Sequence, residues 1–427
     1  MLADFKVIHA SFFFLFIALP IWRLRTAQSF QVDPLDTAAQ YKLLCMGIAG
    51  MLALVSLISN IGKNRIAFPL VPFLVLVYAV LGLLSTLLGG NVYYGIYKAV
   101  ELLIDTTFLF AAVMQVGSLR DAKKLSDFVL LLFFLLLVTE VIAAIVIPEA
   151  GFYVYEKGVI GRLFSGAFPL MDPNGLGFLS GTLAVASACR ILRAEHPKSK
   201  QLYILTLLFS LTTLTLAQSR TSILGMLAAL AVVLALGKRW KEFAVILAIA
   251  LVGFAIFSDY LISYIMRGQS VEMFKKVSGR TVMWEYVWNK FLERPVLGYG
   301  FVSAVFLMKI YAPGQTSPVF NSYLECLSNS GIIGFFPWFM AILVTFFLLL
   351  RGSMQSRYTI KNDLLQRFNI EKIGIMIVLL ARSTTTSMLT IHSMEFTLFL
   401  TLIVAAQTNL FLSIRAVQTS LHGPAHV

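Results

Sequence analysis

Charge is what this sequence lacks. Only 13% of its 427 residues are charged and 59% are hydrophobic, whereas soluble domains average about 25% charged and about 45–50% apolar. A water-soluble chain of this length cannot hide that much apolar surface, because the interior grows too slowly with size. Lipid must be the solvent for most of it. Cysteine is scarce: Cys45, Cys189 and Cys326 are scattered without a CxxC pair, which excludes a zinc ribbon or a disulfide framework. All three lie in or beside apolar runs, where a free thiol acts as a small hydrophobe. Histidine is limited to His9, His196, His392, His422 and His426, too few and too dispersed for a metal cluster. No Walker loop, GxSxG or HExxH pattern occurs, so ATP is not expected to power this chain. Internal repeats are not evident either, which counts against a transporter assembled from inverted halves.

Long apolar runs fill the rest. A helix crossing the hydrocarbon core needs about 20 mostly apolar residues. Candidate segments are 7–22, 42–60, 66–88, 94–116, 126–147, 170–192, 202–218, 221–237, 242–264, 330–350, 370–390 and 394–414. The run 202–237 is split at Gln218-Ser219-Arg220, and 370–390 is interrupted by Arg382 and several threonines. The stretch Val7–Trp22 has one basic residue, Lys6, before it and no clear A-x-A site after it, so it reads as an uncleaved first span. The expected fold is therefore all-α: a polytopic transmembrane helical bundle of about 12 spans, one domain over 1–427. One long extracytoplasmic loop, 266–320, elaborates it.

The net charge of +13 forms no patch, so nucleic acid is not an expected partner. Basic residues sit between apolar runs, as orientation signals do. With twelve spans, 19 of them, from Lys6 to Arg415, collect on the side of the termini, and seven lie in the opposite short loops and span ends: Arg23, Arg25, Lys42, Lys157, Arg162, Arg220 and Arg382. The seven of the long loop, which crosses largely regardless of charge, and Lys98 inside a span do not bear on the balance. That imbalance puts both termini in the cytoplasm. Membrane lipid or a phosphate-bearing substrate is the expected counter-charge.

Four arginines fall on or near the outer side. Arg162 precedes the knuckle Asp172-Pro173-Asn174-Gly175; Arg220 marks the break in 202–237; Arg280 follows Ser278-Gly279; Arg382 stands in an otherwise uncharged stretch. A guanidinium is permanently charged and its donor fork matches phosphate oxygens. Cations at the edge of lipid are costly and so are functional candidates; the bland reading for any one of them is snorkelling to headgroups. A diphosphate site at the outer face accounts for all four together. From Arg280 the chain reads as an amphipathic helix with Met283, Trp284, Val287, Trp288 and Phe291 on one face. Pro295 ends it, and Gly298 and Gly300 suit a turn. Such a helix lies on the outer leaflet, either as plain anchoring or presenting Arg280 at an anion-favouring N-terminus. Lys98, Glu101 and Asp105 share one helix face, with Glu140 in the next span. They either pair internally or couple ions in a transporter.

These motifs together resemble the O-antigen ligase and O-antigen polymerase superfamily of bacterial envelope glycan assembly. Asp172-Pro173-Asn174 is similar to its span-opening motif, and Ser219-Arg220 to its break between spans. Gly279-Arg280, Trp284, Pro295, Gly298 and Gly300 follow its "GR…W…P…G.G" pattern, and Asn321-Ser322-Tyr323-Leu324-Glu325 with Gly331 and Gly334 its exit from the long loop. The resemblance covers roughly residues 160–350 in order, spacing and topology. It implies glycosyl transfer from an undecaprenyl-diphosphate-linked oligosaccharide to a sugar hydroxyl at the outer leaflet of the bacterial cytoplasmic membrane. Arg220 and Arg280 would take catalytic roles, and Arg162, Asn174, Trp284, Asn321 and Arg382 would bind substrate. Ligases of the superfamily usually carry a histidine just before the Asn of the last motif; here Phe320 stands there. That departure favours a polymerase over a ligase, with Glu325 or His392 as substitutes for the base. No DxD-type cluster lies outside, so neither metal nor other cofactor is expected, and other polysaccharide assembly and chain-length proteins are the implied partners.

Overall fold

The computed structural model describes residues 2–19, 36–60, 68–89, 92–153, 162–163, 169, 171–192, 196–266, 270–272, 280–303, 307, 319–358 and 362–422. These are helical apart from turns, short connections and one two-residue antiparallel pairing, Phe152–Tyr153 with Arg162–Leu163. Thirteen long helices follow one another among them: α1 Leu2–Ile17, α2 Thr37–Asn60, α3 Leu70–Leu88, α4 Val92–Gln115, α5 Leu119–Val146, α6 Pro173–Ile191 and α7 Pro197–Ala217. The remainder are α8 Arg220–Leu236, α9 Trp240–Met266, α10 Arg280–Glu293, α11 Ser322–Tyr358, α12 Asp363–Ser383 and α13 Met394–His422. Each of the twelve apolar segments overlaps one of these, and α10 is the expected amphipathic helix. By length and composition six helices suffice to cross a membrane, or seven if the bent α9 is one span. Four of the others fall short for visible reasons: α1 and α8 have 16 and 17 residues, and α4 and α12 carry several charges in their interiors.

Local chemistry sets the breaks. Between α7 and α8, Gln218 adopts a left-handed conformation (φ +48°), uncommon for a residue with a side chain, and the helix restarts at Arg220. Ser118 and Asn362 cap α5 and α12 by accepting the amides of Asp121 and Leu365. At the centre stands α13, whose residues 395–409 are all buried, packed against α4, α5, α11 and α12. At one end of the bundle Arg190 of α6 bridges Asp127 of α5 (2.6 Å) and Glu371 of α12 (2.9 Å).

α11 is broken at Gly331 (φ +63°, ψ −170°). The segment after α10 docks there through backbone alone: Tyr299 and Gly300 amides donate to the Ser328 and Asn329 carbonyls (2.9 and 2.7 Å), and Ile332 donates to Pro295 (2.8 Å). From the other side Ser85 donates to Asn329 (2.8 Å) and Thr86 accepts the Phe301 amide (2.9 Å). The Pro295, Gly298 and Gly300 of the motif thus wedge the loop between α3 and α11. Of the expected apolar face of α10, Val287 and Phe291 are buried, and Met283 and Trp284 pack on the small cluster of Val287 and Val319. Trp288 does not join them. It is 44% exposed, because α10 meets the bundle along one narrow seam and Trp288 falls beside it.

Candidate functional site

The run expected as a helix to residue 390 stops seven residues sooner. α12 ends at Ser383, and residues 384–393 are irregular apart from a 3-10 turn at Met388–Thr390. The run Ser383-Thr384-Thr385-Thr386 explains the stop. Its hydroxyls bond back to carbonyls of the last turn: Ser383 to Leu380 (2.8 Å), Thr384 to Ala381 (2.8 Å), Thr386 to Arg382 (3.2 Å), competing with the backbone for them. Irregular backbone inside a dry bundle must have its carbonyls satisfied, and here side chains from other elements do so. Ser322 donates to Thr386 (2.6 Å), Trp338 to Leu389 (3.0 Å), Tyr78 to Thr390 (2.9 Å) and Arg280 to Thr385 (3.3 Å).

That last contact brings the arginines together. Arg280, the first residue of α10, also lies with its guanidinium carbon 4.6 Å from the centre of the Phe320 ring, a cation–π distance. The Thr385 hydroxyl meets that of Thr221 at 2.9 Å, next to Arg220, whose guanidinium reaches the Ile265 carbonyl of α9 (3.4 Å). Arg382 and Glu395 face each other at 3.5 Å, both side chains 4% exposed. Burial, then the fields of Arg382 and Arg220, pushes the Arg280 guanidinium down to about 10, against the opposing pull of Asp172. It stays charged at neutral pH. Three cations therefore share one end of the bundle, faced by Asp172 and Glu395. Among the described residues no three His, Cys, Asp or Glu side chains gather as a metal site requires.

The other candidates have separate places. Asp172 caps α6 by accepting the Gly175 amide (2.6 Å). Asn174 accepts the Ser219 hydroxyl (3.5 Å), and a Cβ on Gly177 would lie 2.3 Å from that of Ser219, so the two motifs are one tight helix–helix contact. Asn321 spends its side-chain oxygen on the amides of Tyr323 and Leu324 (3.0 and 3.1 Å), capping α11. Trp284 donates to the Val319 carbonyl (3.0 Å), bracing the turn in which Phe320 takes φ +53°. Glu325 is 1% exposed and lies beside Ser387, Thr390 and Asn329, apart from the guanidinium cluster. Arg162 is placed by its backbone in the short pairing; its side chain lies outside the described residues. Thr221 lies within the Ser219-Arg220-Thr221 break, but no motif points to Thr385 or Glu395; the Ser/Thr run beside a buried arginine is the one signal of Thr385 that the sequence offers. Asp172→Ala is expected to cost about 1 kcal/mol of stability through the lost cap. Asp172→Asn, which keeps an acceptor oxygen, should not, and thermal unfolding in detergent checks both.

Two buried carboxylates of α4 pair internally. Glu101 is held by Lys98 (3.0 Å) and by Lys42 of α2 (2.7 Å), and Asp105 by His392 (2.9 Å).

Residues 205–339 match a family model described as O-antigen ligase. The matched stretch contains Arg220, Arg280, Trp284, Asn321 and Glu325, and the match supports the resemblance to the O-antigen ligase and polymerase superfamily. No curated protein matches the chain.

Proposed function

We propose that this chain, read as a superfamily member, is an envelope or exopolysaccharide polymerase. It transfers glycan from an undecaprenyl-diphosphate-linked donor to a sugar hydroxyl at the outer leaflet of the bacterial cytoplasmic membrane. The observation that carries the reading is the convergence of Arg220, Arg280 and Arg382, from three separate helices, on one end of the bundle. An excess of fixed cations there suits an anion of high charge density. In the proposed reaction the acceptor hydroxyl attacks the anomeric carbon, its bond to the diphosphate oxygen breaks, and configuration inverts. The guanidinium groups neutralise the charge growing on the leaving diphosphate, a preorganised electrostatic stabilisation. Because the centre is oxocarbenium-like, the acceptor needs positioning more than deprotonation, which accommodates Phe320 at the usual histidine position.

In this reading all twelve apolar helices span the membrane, the termini are cytoplasmic, and 266–320 lies outside with α10 along the leaflet. The basic-residue distribution supports that orientation. Chain-length and assembly proteins would be partners. A ligase attaching finished glycan to a lipid or protein acceptor is the second reading, favoured by the description of the matching family model. The ion pairs at Glu101 and the Asp105–His392 hydrogen bond speak for a structural role of those carboxylates and against the transporter reading. A host strain lacking the chain separates these. Undersized lipid-linked glycan on gels is the expected result. Full-length polymer accumulating on its carrier would make it a ligase, and an unchanged glycan profile would sink both.

A further inference from the structure

Away from the arginines, a buried polar assembly joins α2, α4 and the far end of the irregular segment. Lys42 and Lys98 hold Glu101. One turn further along α4, both oxygens of Asp105 face Nδ1 of His392, at 2.9 and 3.0 Å, and neither side chain has any exposure (0%/0%). With the Nδ1 proton assigned toward Asp105, Nε2 has no hydrogen-bond partner among the described residues. It is enclosed, so an acceptor hydroxyl does not reach it. His392 therefore works through one nitrogen only, as a donor that ties the end of segment 384–393 to α4. The other end of that segment presents Thr385, whose carbonyl receives Arg280 and whose hydroxyl meets Thr221 beside Arg220.

We propose that Asp105 and His392 are a positioning pair: by fixing where residues 384–393 sit, they fix, through Thr385, where Arg280 points. This rests on the diphosphate reading above. The chemistry asked of His392 is a hydrogen bond, not proton transfer, and side-chain geometry makes the distinction measurable. The amide nitrogen of asparagine takes nearly the place of imidazole Nδ1, whereas that of glutamine takes the place of Nε2.

The test is binding of undecaprenyl diphosphate to the purified full chain in nanodiscs. His392→Ala should raise Kd about tenfold, the effect of one charge-assisted hydrogen bond. His392→Asn should return it to within about twofold of wild type, and His392→Gln should not. A general loss of stability would lower the bound fraction of active protein without this pattern. Should the alanine variant fail to fold, the Asn-against-Gln comparison carries the test. Asparagine as weak as glutamine, or alanine as tight as wild type, overturns the pair. Arg280→Ala run alongside separates the two claims. If it or the wild type shows no diphosphate-dependent binding difference, the proposed function fails and the pair's role falls with it. If binding depends on Arg280 but not on His392, the pair alone is refuted.

Discussion

Arg280→Ala is expected to abolish long-chain polysaccharide while leaving the protein folded and inserted. Arg280 packs over the Phe320 ring and donates to the Thr385 carbonyl, but the core does not depend on its charge: its carboxylate neighbour Asp172 is exposed and can be solvated. Removing it relieves repulsion from Arg382 and Arg220 but takes the donor from the half-buried Thr385 carbonyl, so stability should fall by no more than about 0.5–1.5 kcal/mol. Catalysis should change a great deal. Losing one preorganised charge aimed at a developing anion costs about 10²–10³ in rate, enough to remove long polymer. Arg280→Lys keeps the charge without the planar fork, and shorter chains are expected rather than none. Arg220→Ala should behave as Arg280→Ala does. Arg382→Ala should differ, since it leaves Glu395 buried without its cation, a loss of about 3–5 kcal/mol visible as reduced folded yield. Gel profiles of the polysaccharide, read beside membrane protein levels, decide the matter. Normal polymer length in both Arg220→Ala and Arg280→Ala would remove the diphosphate clamp.

Gly331→Ala should be strongly destabilising. At φ +63° and ψ −170° the backbone occupies a region open essentially to glycine alone. A Cβ there would lie 2.1 Å from the Val296 carbonyl oxygen and 2.3 Å from its carbon. These are backbone atoms, so no rotamer relieves the clash. The docked segment 295–300 must move away, and the amide contacts of Tyr299, Gly300 and Ile332 go with it. Strain of about 1–3 kcal/mol adds to about 0.5–1.5 kcal/mol per lost hydrogen bond, a large fraction of the stability of any domain. Gly47→Ala is the control, because a Cβ there meets nothing within 4 Å and alanine favours the helix. Thermal unfolding in detergent should show a large drop for the first and none for the second. Equal melting of Gly331→Ala and wild type would refute the docking account.

Several elements are legible in the sequence, each for a local reason. The break at Gln218-Ser219-Arg220 is readable because polar residues interrupt an apolar run too long for one span. The turn after α10 is readable from Pro295, Gly298 and Gly300, and the pairing of Lys98 with Glu101 from their spacing on one helix face. What escapes is whatever depends on a distant partner. Asn321 and Trp284 read as substrate contacts, and sequence does not show that the Asn321 side-chain oxygen also caps α11 through the Tyr323 and Leu324 amides or that the Trp284 indole N–H braces the Val319 carbonyl. Trp288 lies on the apolar face of α10 by periodicity and is exposed, because periodicity does not say how wide a seam the neighbouring helices offer. Segment 370–390 reads as one helix, since hydropathy does not register hydroxyls bonding back to the preceding turn.

By itself the sequence determined the solvent and the helices, because both follow from side-chain polarity summed over a short window. It also marked Arg220, Arg280 and Arg382 as cations standing where cations are costly. Only the tertiary structure decided that these three share one end of the bundle, that Glu325 does not join them, and that residues 384–393 leave the helix to meet Arg280. Those facts depend on which helices pack together across hundreds of residues, and no local pattern records that.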